Sequence, residues 1–377
     1  MRVNIHSDSL LASHGFGLSR HAREVATGLN KRGVALQIST SKPVKTDAPI
    51  PLADTVAHSL PGGRKFLVSA WATLKTPAIE RLVPEFDILY VTELDYPIPC
   101  SKPTCIVVHD LGPLTHPQYF SRSHPWLTRL ALTALARVDA IICVSQATAD
   151  AVCDLGPKGV EERIHVIHEG VSEHFFFAPA KEEMLWTESL RGSGQGYFLW
   201  SGTLSPRKNL ERVLNALDMA GPDLEGYRLV LTGLQGWDDT ALRSRIAKLE
   251  ESGRVVSTGY VSEAKLHALY AQATGFVFPS LMEGFGFPVA EAMASGCPVV
   301  TSNTGALAEV AGNGALTVDP LDTRAIAEAM TRLTENDTSQ DLAQRGRGRA
   351  EHFRWARYVD ETLSVLRTLL PQDATRA

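Results

Sequence analysis

A chain of 377 residues, 44% hydrophobic and 21% charged, has room for two domains of ordinary size and is neither disordered nor fibrous. A formal net charge of −5 works against nonspecific binding to nucleic acid, and there is no run of roughly 18 apolar residues to span a bilayer. Cys100, Cys105, Cys143, Cys153 and Cys297 are odd in number and lack a Cys-x-x-Cys pair, which fits reduced thiols in a cytoplasm better than a disulfide framework or a zinc site. Ser7 and Asp8 stand where an exported chain needs the apolar core of a signal peptide.

Up to Ala178 acidic and basic residues balance at 17 each, so the second half carries all of the −5, and ten of the 12 histidines lie in the first half. That division fits two domains with different ligands. Arg2 to His6 alternates as a first strand, Ser13-His14-Gly15-Phe16-Gly17 makes a loop, and Leu18 to Lys31 a helix ended by Gly33. Strand, glycine loop and helix open a doubly wound domain, although two glycines describe a tight turn equally well. Residues 41 to 63, rich in Pro, Ala and Asp, predict a loop with a short edge strand. Asp87 to Thr92 is a strand; the Glu93-Leu-Asp95 pair after it is a solvated loop or part of a metal site that would need further ligands, and no metal is expected.

Cys105 to Val108 is a buried strand that delivers His109 and Asp110 to its carboxyl end, where doubly wound sheets bind ligands. Ser123 to Val138 predicts a helix with Trp126, Leu127, Leu130, Ala134 and Leu135 on one side and Arg122, Arg129 and Arg137 beside it. Core packing accounts for such a face, and so does shallow contact with a membrane surface. Asp139 to Val144 is another buried strand, and Ser145 caps the following helix. A linker is expected at the polar, glycine-rich Arg191 to Gly196.

The second half begins with the strand Tyr197 to Trp200 and then Ser201-Gly202-Thr203-Leu204-Ser205-Pro206-Arg207-Lys208-Asn209. Ser205 suits an N-cap and Pro206 the first helical position, which puts Arg207 and Lys208 in the first turn of a helix. Cations there oppose the helix dipole, and a bound anion would remove the conflict; a solvated basic pair is the other reading. Tyr227 to Thr232 and Val255 to Val261 are further strands, and Leu266 to Tyr270 is helical. The most informative stretch follows. Phe276 to Phe278 ends a buried strand, Glu283-Gly284-Phe285-Gly286-Phe287 is a loop, Pro288 to Ser295 a helix closed by Gly296, and Pro298 to Thr301 a strand. Loop and first helical turn offer free amides to an anion such as a diphosphate. Glu283 and Glu291 would repel that anion unless each has other work, such as holding sugar hydroxyls or a ribose diol; two solvated glutamates on a surface helix are the alternative. Glu351 to Leu370 closes the chain as a periodic helix.

Glu283 and Glu291, with seven residues between them that include Phe285-Gly286, and Gly296-x-Pro298-Val299-Val300 after them, resemble the donor-site signature of the retaining glycosyltransferases of family 4. Gly202-x-x-x-x-Arg207-Lys208-Asn209 is similar to the same family's diphosphate clamp. The resemblance implies an α/β architecture of two doubly wound Rossmann-like domains facing across a cleft, the GT-B fold. It implies an acceptor-side domain over 1–178, a nucleotide-sugar-binding domain over 179–354, and a helix within 355–377 that packs back on the first.

By the same resemblance the donor is bound by Gly15 and Gly17 of the first loop, Gly202, the Arg207 and Lys208 clamp, Tyr260 and Val261 at the base, and Glu283, Gly284, Phe285, Gly286, Phe287 and Glu291. His109 and Glu283 are the expected catalytic pair, with Asp110 and Ser145 on the acceptor side. Val107 to Phe120, with Leu114 and Pro117-Gln118-Tyr119-Phe120, resembles members that transfer mannose, which implies GDP-mannose as donor and a saccharide or polyprenyl-linked saccharide as acceptor. No cofactor is expected. A UDP- or dTDP-sugar donor, a nucleotide-sugar epimerase and a noncatalytic sugar-nucleotide binding protein are the alternatives.

Overall fold

The computed structural model describes residues 1–10, 17–43, 55, 57–120, 125–191, 194–233, 236 and 240–371; Gly15 lies outside them. The chain divides into two units, one of Met1–Gly170 with Trp355–Ala377 and one of Val171–Arg354. In the first, β1 (Arg2–His6), β2 (Ala35–Thr40), β3 (Ala57–Ser59), β4 (Ile88–Val91), β5 (Thr104–Val108), β6 (Ala140–Cys143) and β7 (Ile164–Val166) form one sheet in the order β3-β2-β1-β4-β5-β6-β7. In the second, β8 (Gly196–Ser201), β9 (Tyr227–Thr232), β10 (Val255–Gly259), β11 (Gly275–Phe278), β12 (Val299–Ser302) and β13 (Leu316–Val318) take the order β10-β9-β8-β11-β12-β13. Every pairing within both sheets is parallel. The two doubly wound α/β sheets expected from the strand, loop and helix pattern are therefore both present.

The central strands are buried along their whole length because helices cover both faces of a parallel sheet. This is why β5, β6, β8 and β11 read as continuous apolar runs and not as alternation. In each sheet the strand order reverses once, between β1 and β4 and between β8 and β11, and the carboxyl ends at such a switch point are where open α/β sheets bind ligands.

Four expectations need correction. The unit boundary falls at Gly170 and not after Ala178, because the Val171 amide donates to the Phe353 carbonyl at 2.7 Å and Phe175 sits 5.3 Å from the His267 ring and 6.1 Å from that of Tyr270, all in the second unit. The last helix is Trp355–Thr368 and does not begin at Glu351, since Phe353 stays in the second core 5.5 Å from Phe285. From Trp355 on, that helix lies against Gly17–Lys31, where Arg32 donates to the Ala356 carbonyl at 2.9 Å. Of the helix expected over 123–138, residues 123 and 124 lie outside the described residues, and the rest is a helix Pro125–Leu132 followed by a 3-10 turn, Thr133–Ala136. Finally, β10 stops at Gly259, whose positive φ of 66° turns the chain before Tyr260 and Val261. Among the described residues no helix is long and apolar enough to cross a membrane, and all five cysteines are free thiols.

Candidate active site

In the second unit β8 and β11 are hydrogen-bonded neighbours, so the loops that leave their carboxyl ends meet. The first forms a 3-10 turn, Pro206–Lys208, and the α-helix begins only at Leu210. Arg207 and Lys208 thus precede the helix instead of sitting in its first turn. Asn209 between them and the helix has a positive φ of 58°, an unfavourable backbone for a side chain with a Cβ. Its carboxamide holds the chain there by donating to the carbonyls of Pro279 at 2.8 Å and Pro320 at 2.7 Å. Ser280 Oγ donates to the Arg207 carbonyl at 2.8 Å and the Leu281 amide to the same oxygen at 2.7 Å.

This stitching brings Glu283 to the basic pair. Its Oε2 lies 2.6 Å from Arg207 Nη1 and its Oε1 2.7 Å from Lys208 Nζ, with all three side chains mostly buried. The conflict between cations and helix dipole that an anion was expected to relieve is relieved inside the protein by this carboxylate. Burial by itself would raise the Glu283 pKa, but Lys208 and Arg207 hold it at about 2. Burial pulls Lys208 downward against the attraction of Glu283; with a carboxylate oxygen at hydrogen-bond distance it remains an ammonium at neutral pH. One carboxylate against two cations leaves the cluster with a net positive charge. Lys208 Nζ also lies 4.5 Å over the Phe278 ring.

Beside the cluster Gly286 opens the helix Phe287–Ala294 with a φ of 114°, where a Cβ would come within 2.6 Å of Leu307. Phe285 is buried between Phe287 and Phe353 and anchors the loop, and Gly284 connects it to Glu283. Glu291 is buried in that helix and accepts from the Tyr270 hydroxyl at 3.4 Å, which in turn lies 3.2 Å from Ser201 Oγ. Gly202, Leu204, Thr232, Gly233, Arg243 and Gly259 line part of a cavity of ≈ 260 Å³ at the carboxyl ends of β8, β9 and β10. Tyr260 and Val261 lie beyond this strand end, and Tyr260 is exposed.

In the first unit His109 leaves the end of β5 and packs against two residues that sequence reasoning did not assign. His21, on the helix Gly17–Lys31, has Nδ1 2.9 Å from Glu169 Oε1, and His109 Nδ1 is 3.3 Å from the same oxygen. The other His109 nitrogen, Nε2, donates to the Thr92 carbonyl at 2.8 Å. The two imidazoles meet edge to face, with centroids 4.7 Å apart. Burial would raise Glu169, yet the charge of His109 and the hydrogen bonds from both histidines hold it at about 2. Burial likewise opposes charge on His109, but Glu169 and the Thr92 carbonyl raise its pKa above the usual value; burial lowers that of His21. Gly170 allows this packing, since a Cβ there would come within 2.5 Å of Trp355.

Asp110 folds back to accept from the Gly112 amide at 2.8 Å, a turn-forming role. Ser145 caps the helix Gln146–Leu155 by accepting from the Thr148 amide at 3.1 Å, while Thr148 Oγ1 donates to the His109 carbonyl at 3.2 Å. Gly17 is the first residue of its helix. Glu93 accepts from the amides of Asp8 and Ser9, and Asp95 pairs with Arg64 at 2.8 Å. Among the described residues the grouped donor atoms spaced for a metal ion are those of His21, His109 and Glu169, all within 4.8 Å of one another. Glu169 was visible in the sequence within His168-Glu169-Gly170, but nothing there showed that its carboxylate meets histidines 60 and 148 residues away.

Comparison with known proteins gives two family matches in succession, "Glycosyltransferase Family 4" over residues 17–175 and "Glycosyl transferases group 1" over 186–349. An O-antigen chain mannosyltransferase B of Escherichia coli is 37% identical over 177 residues, 46% of each chain. The O-antigen chain mannosyltransferase RfbU of Salmonella typhimurium is 28% identical over 238 residues, 63% of each chain. The matches thus span less than two thirds of these relatives. Among solved structures, Anabaena HepE in complex with UDP and glucose superimposes with a TM-score of 0.76 over 98% of this chain and 100% of that one, at 17% identity. That likeness concerns the fold.

Proposed function

The chain belongs to the family 4 glycosyltransferases, sugar-transferring enzymes of the GT-B fold, and from that premise we propose that it moves mannose from GDP-mannose to a saccharide or polyprenyl-linked saccharide, with retention at the anomeric carbon. The observation that carries the reading is the Arg207, Lys208 and Glu283 cluster at the carboxyl ends of β8 and β11. Its net positive charge, next to the glycine loop and the first turn of Phe287–Ala294, suits a diphosphate. Mannose is supported by the names of the two O-antigen relatives and by the Val107 to Phe120 segment.

In the reaction the bond from the anomeric carbon to the diphosphate breaks as the acceptor oxygen bonds to that carbon on the same face. The acceptor's proton passes to an oxygen of the departing diphosphate. Arg207, Lys208 and the amides near Gly286 stabilise the charge that grows on the leaving group. These fixed cations supply the countercharge a divalent metal provides elsewhere, so transfer is expected to survive chelation. His109 serves the sugar, Glu291 the ribose, and the cavity at β8 to β10 the base. Exposed Trp126 beside Arg129 gives the first unit a means of resting on a membrane that carries a lipid-linked acceptor.

The test is a thermal-shift series with GDP, UDP, dTDP and ADP, followed by nucleotide release from GDP-mannose with and without acceptor. Selective stabilisation by GDP and acceptor-dependent release are expected. Preference for UDP or dTDP would replace the donor. Epimerised donor without acceptor, or binding without turnover, would replace the reaction.

A further inference from the structure

His109, His21 and Glu169 lie together, and their hydrogen bonds and close contacts restrict where the protons are. A carbonyl oxygen can only accept, so the contact from His109 Nε2 to the Thr92 carbonyl requires a hydrogen on Nε2. A neutral imidazole would then turn the bare lone pair of Nδ1 toward Glu169 Oε1, which lies 3.3 Å away. The same Oε1 also faces His21 Nδ1 at 2.9 Å, so a hydroxyl there would have to donate to one ring while accepting from the other, whereas two nitrogens converging on one oxygen favour an anion, and both histidines hold Glu169 at about 2 against its burial. An ionised carboxylate accepts from both. Among the described residues His21 Nε2 is buried without a hydrogen-bond partner, as suits a neutral ring protonated on Nδ1. A charge-balanced cluster follows: carboxylate on Glu169, imidazolium on His109, neutral imidazole on His21.

Resting on the reading that His109 serves the transferred sugar, we infer that Glu169 is a positioning residue which, together with His21, holds the His109 ring as a fixed imidazolium, so that His109 takes part as a cation and not as a base. The surroundings agree. Glu93 and Asp95, the carboxyl groups of the loop after β4, are on the His109 side, where burial raises both and the His109 charge draws both down. Tyr90 and Tyr358, whose hydroxyls are 3.3 Å apart, are held neutral by burial on the Glu169 side. The His109 side chain is 15% exposed, so the ring keeps one edge from which its charge can act. Since both ring nitrogens are occupied by acceptors within the first unit, no lone pair is left to take a proton from the acceptor alcohol. That agrees with a departing diphosphate that takes it instead.

The experiment uses the full chain. Nitrogen-15 spectra of the imidazoles at about pH 8 should give both His109 nitrogens the shift of N–H, where a free imidazole is neutral. In Glu169→Gln the same spectra should show one bare nitrogen, and turnover should fall about tenfold per pH unit above the ordinary imidazole range, with its best rate at acid pH. Glu169→Asp should restore the flatter profile of the parent. If Glu169→Gln does not fold, the spectra of the parent and the profile of Glu169→Asp still decide. A bare His109 nitrogen in the parent at that pH overturns the inference, as does a Glu169→Gln whose turnover falls equally at every pH. So does zinc added alone, if it raises the melting temperature of the parent and not that of His109→Ala, since the three atoms would then be metal ligands. A doubly protonated His109 in a chain that transfers no sugar would refute the functional reading and leave the protonation standing.

Discussion

Each unit buries one carboxylate between two nitrogen bases, and the two arrangements differ in what the bases are. Glu283 in the second unit lies between Arg207, a permanent cation, and Lys208, an ammonium whose pKa burial lowers and Glu283 raises. Glu169 in the first lies between His21 and His109, of which one is charged and only while it keeps its second proton. Both carboxylates are held at about 2 by their partners against a burial that would raise them. The second cluster therefore carries a net positive charge at neutral pH, anchored by the permanent Arg207 cation, as a diphosphate site needs. The first is charge-balanced, and alkaline pH removes its positive member.

The contrast is broken most severely by removing the cations of the second cluster. Arg207→Ala with Lys208→Ala should lower the rate of nucleotide release by at least about 10³-fold, since one lost charge-stabilising donor typically costs 10²–10³. Turnover near the parent's would sink the diphosphate assignment. Glu169→Gln should cost about 3 kcal/mol in denaturant unfolding, the low end for leaving one member of a buried pair without its partner. The sign of its pH dependence separates the units. Both carboxylates contribute stability that is complete above the ordinary value of 4.5 and is lost as the pH falls toward about 2. His109 adds a contribution present below 6.5 and lost as the pH rises through its raised value, so only the first cluster should also weaken on the alkaline side. A Glu169→Gln variant with the same alkaline slope as the parent would refute that.

Glu283→Gln should lower kcat by about 100-fold yet tighten binding of the free nucleoside diphosphate, because the anion no longer competes with a carboxylate for Arg207 and Lys208. Calorimetric titration with GDP checks it, and weaker binding would mean that Glu283 only props up the loop. Gly170→Ala should cost about 2 kcal/mol, since its Cβ would come within 2.5 Å of Trp355. Ser145→Ala should cost about 1 kcal/mol as the loss of an N-cap, with turnover little changed. A large loss of turnover there would return Ser145 to the acceptor side.

The sequence by itself determined the parallel α/β class, the two sheets, and the glycine loop and helix at Gly286, because apolar runs, prolines and glycines act locally on the backbone. It also placed Arg207, Lys208 and Glu283 in one site, though only through resemblance. Tertiary structure decided the partnerships. Glu283 closes on Arg207 and Lys208 because β8 and β11 are neighbours across the switch point, and Glu169 reaches His21 and His109 because Gly170 admits Trp355 beside them. Which charge meets which depends on strand order and helix packing between residues distant in the chain. No local pattern of residue types encodes that.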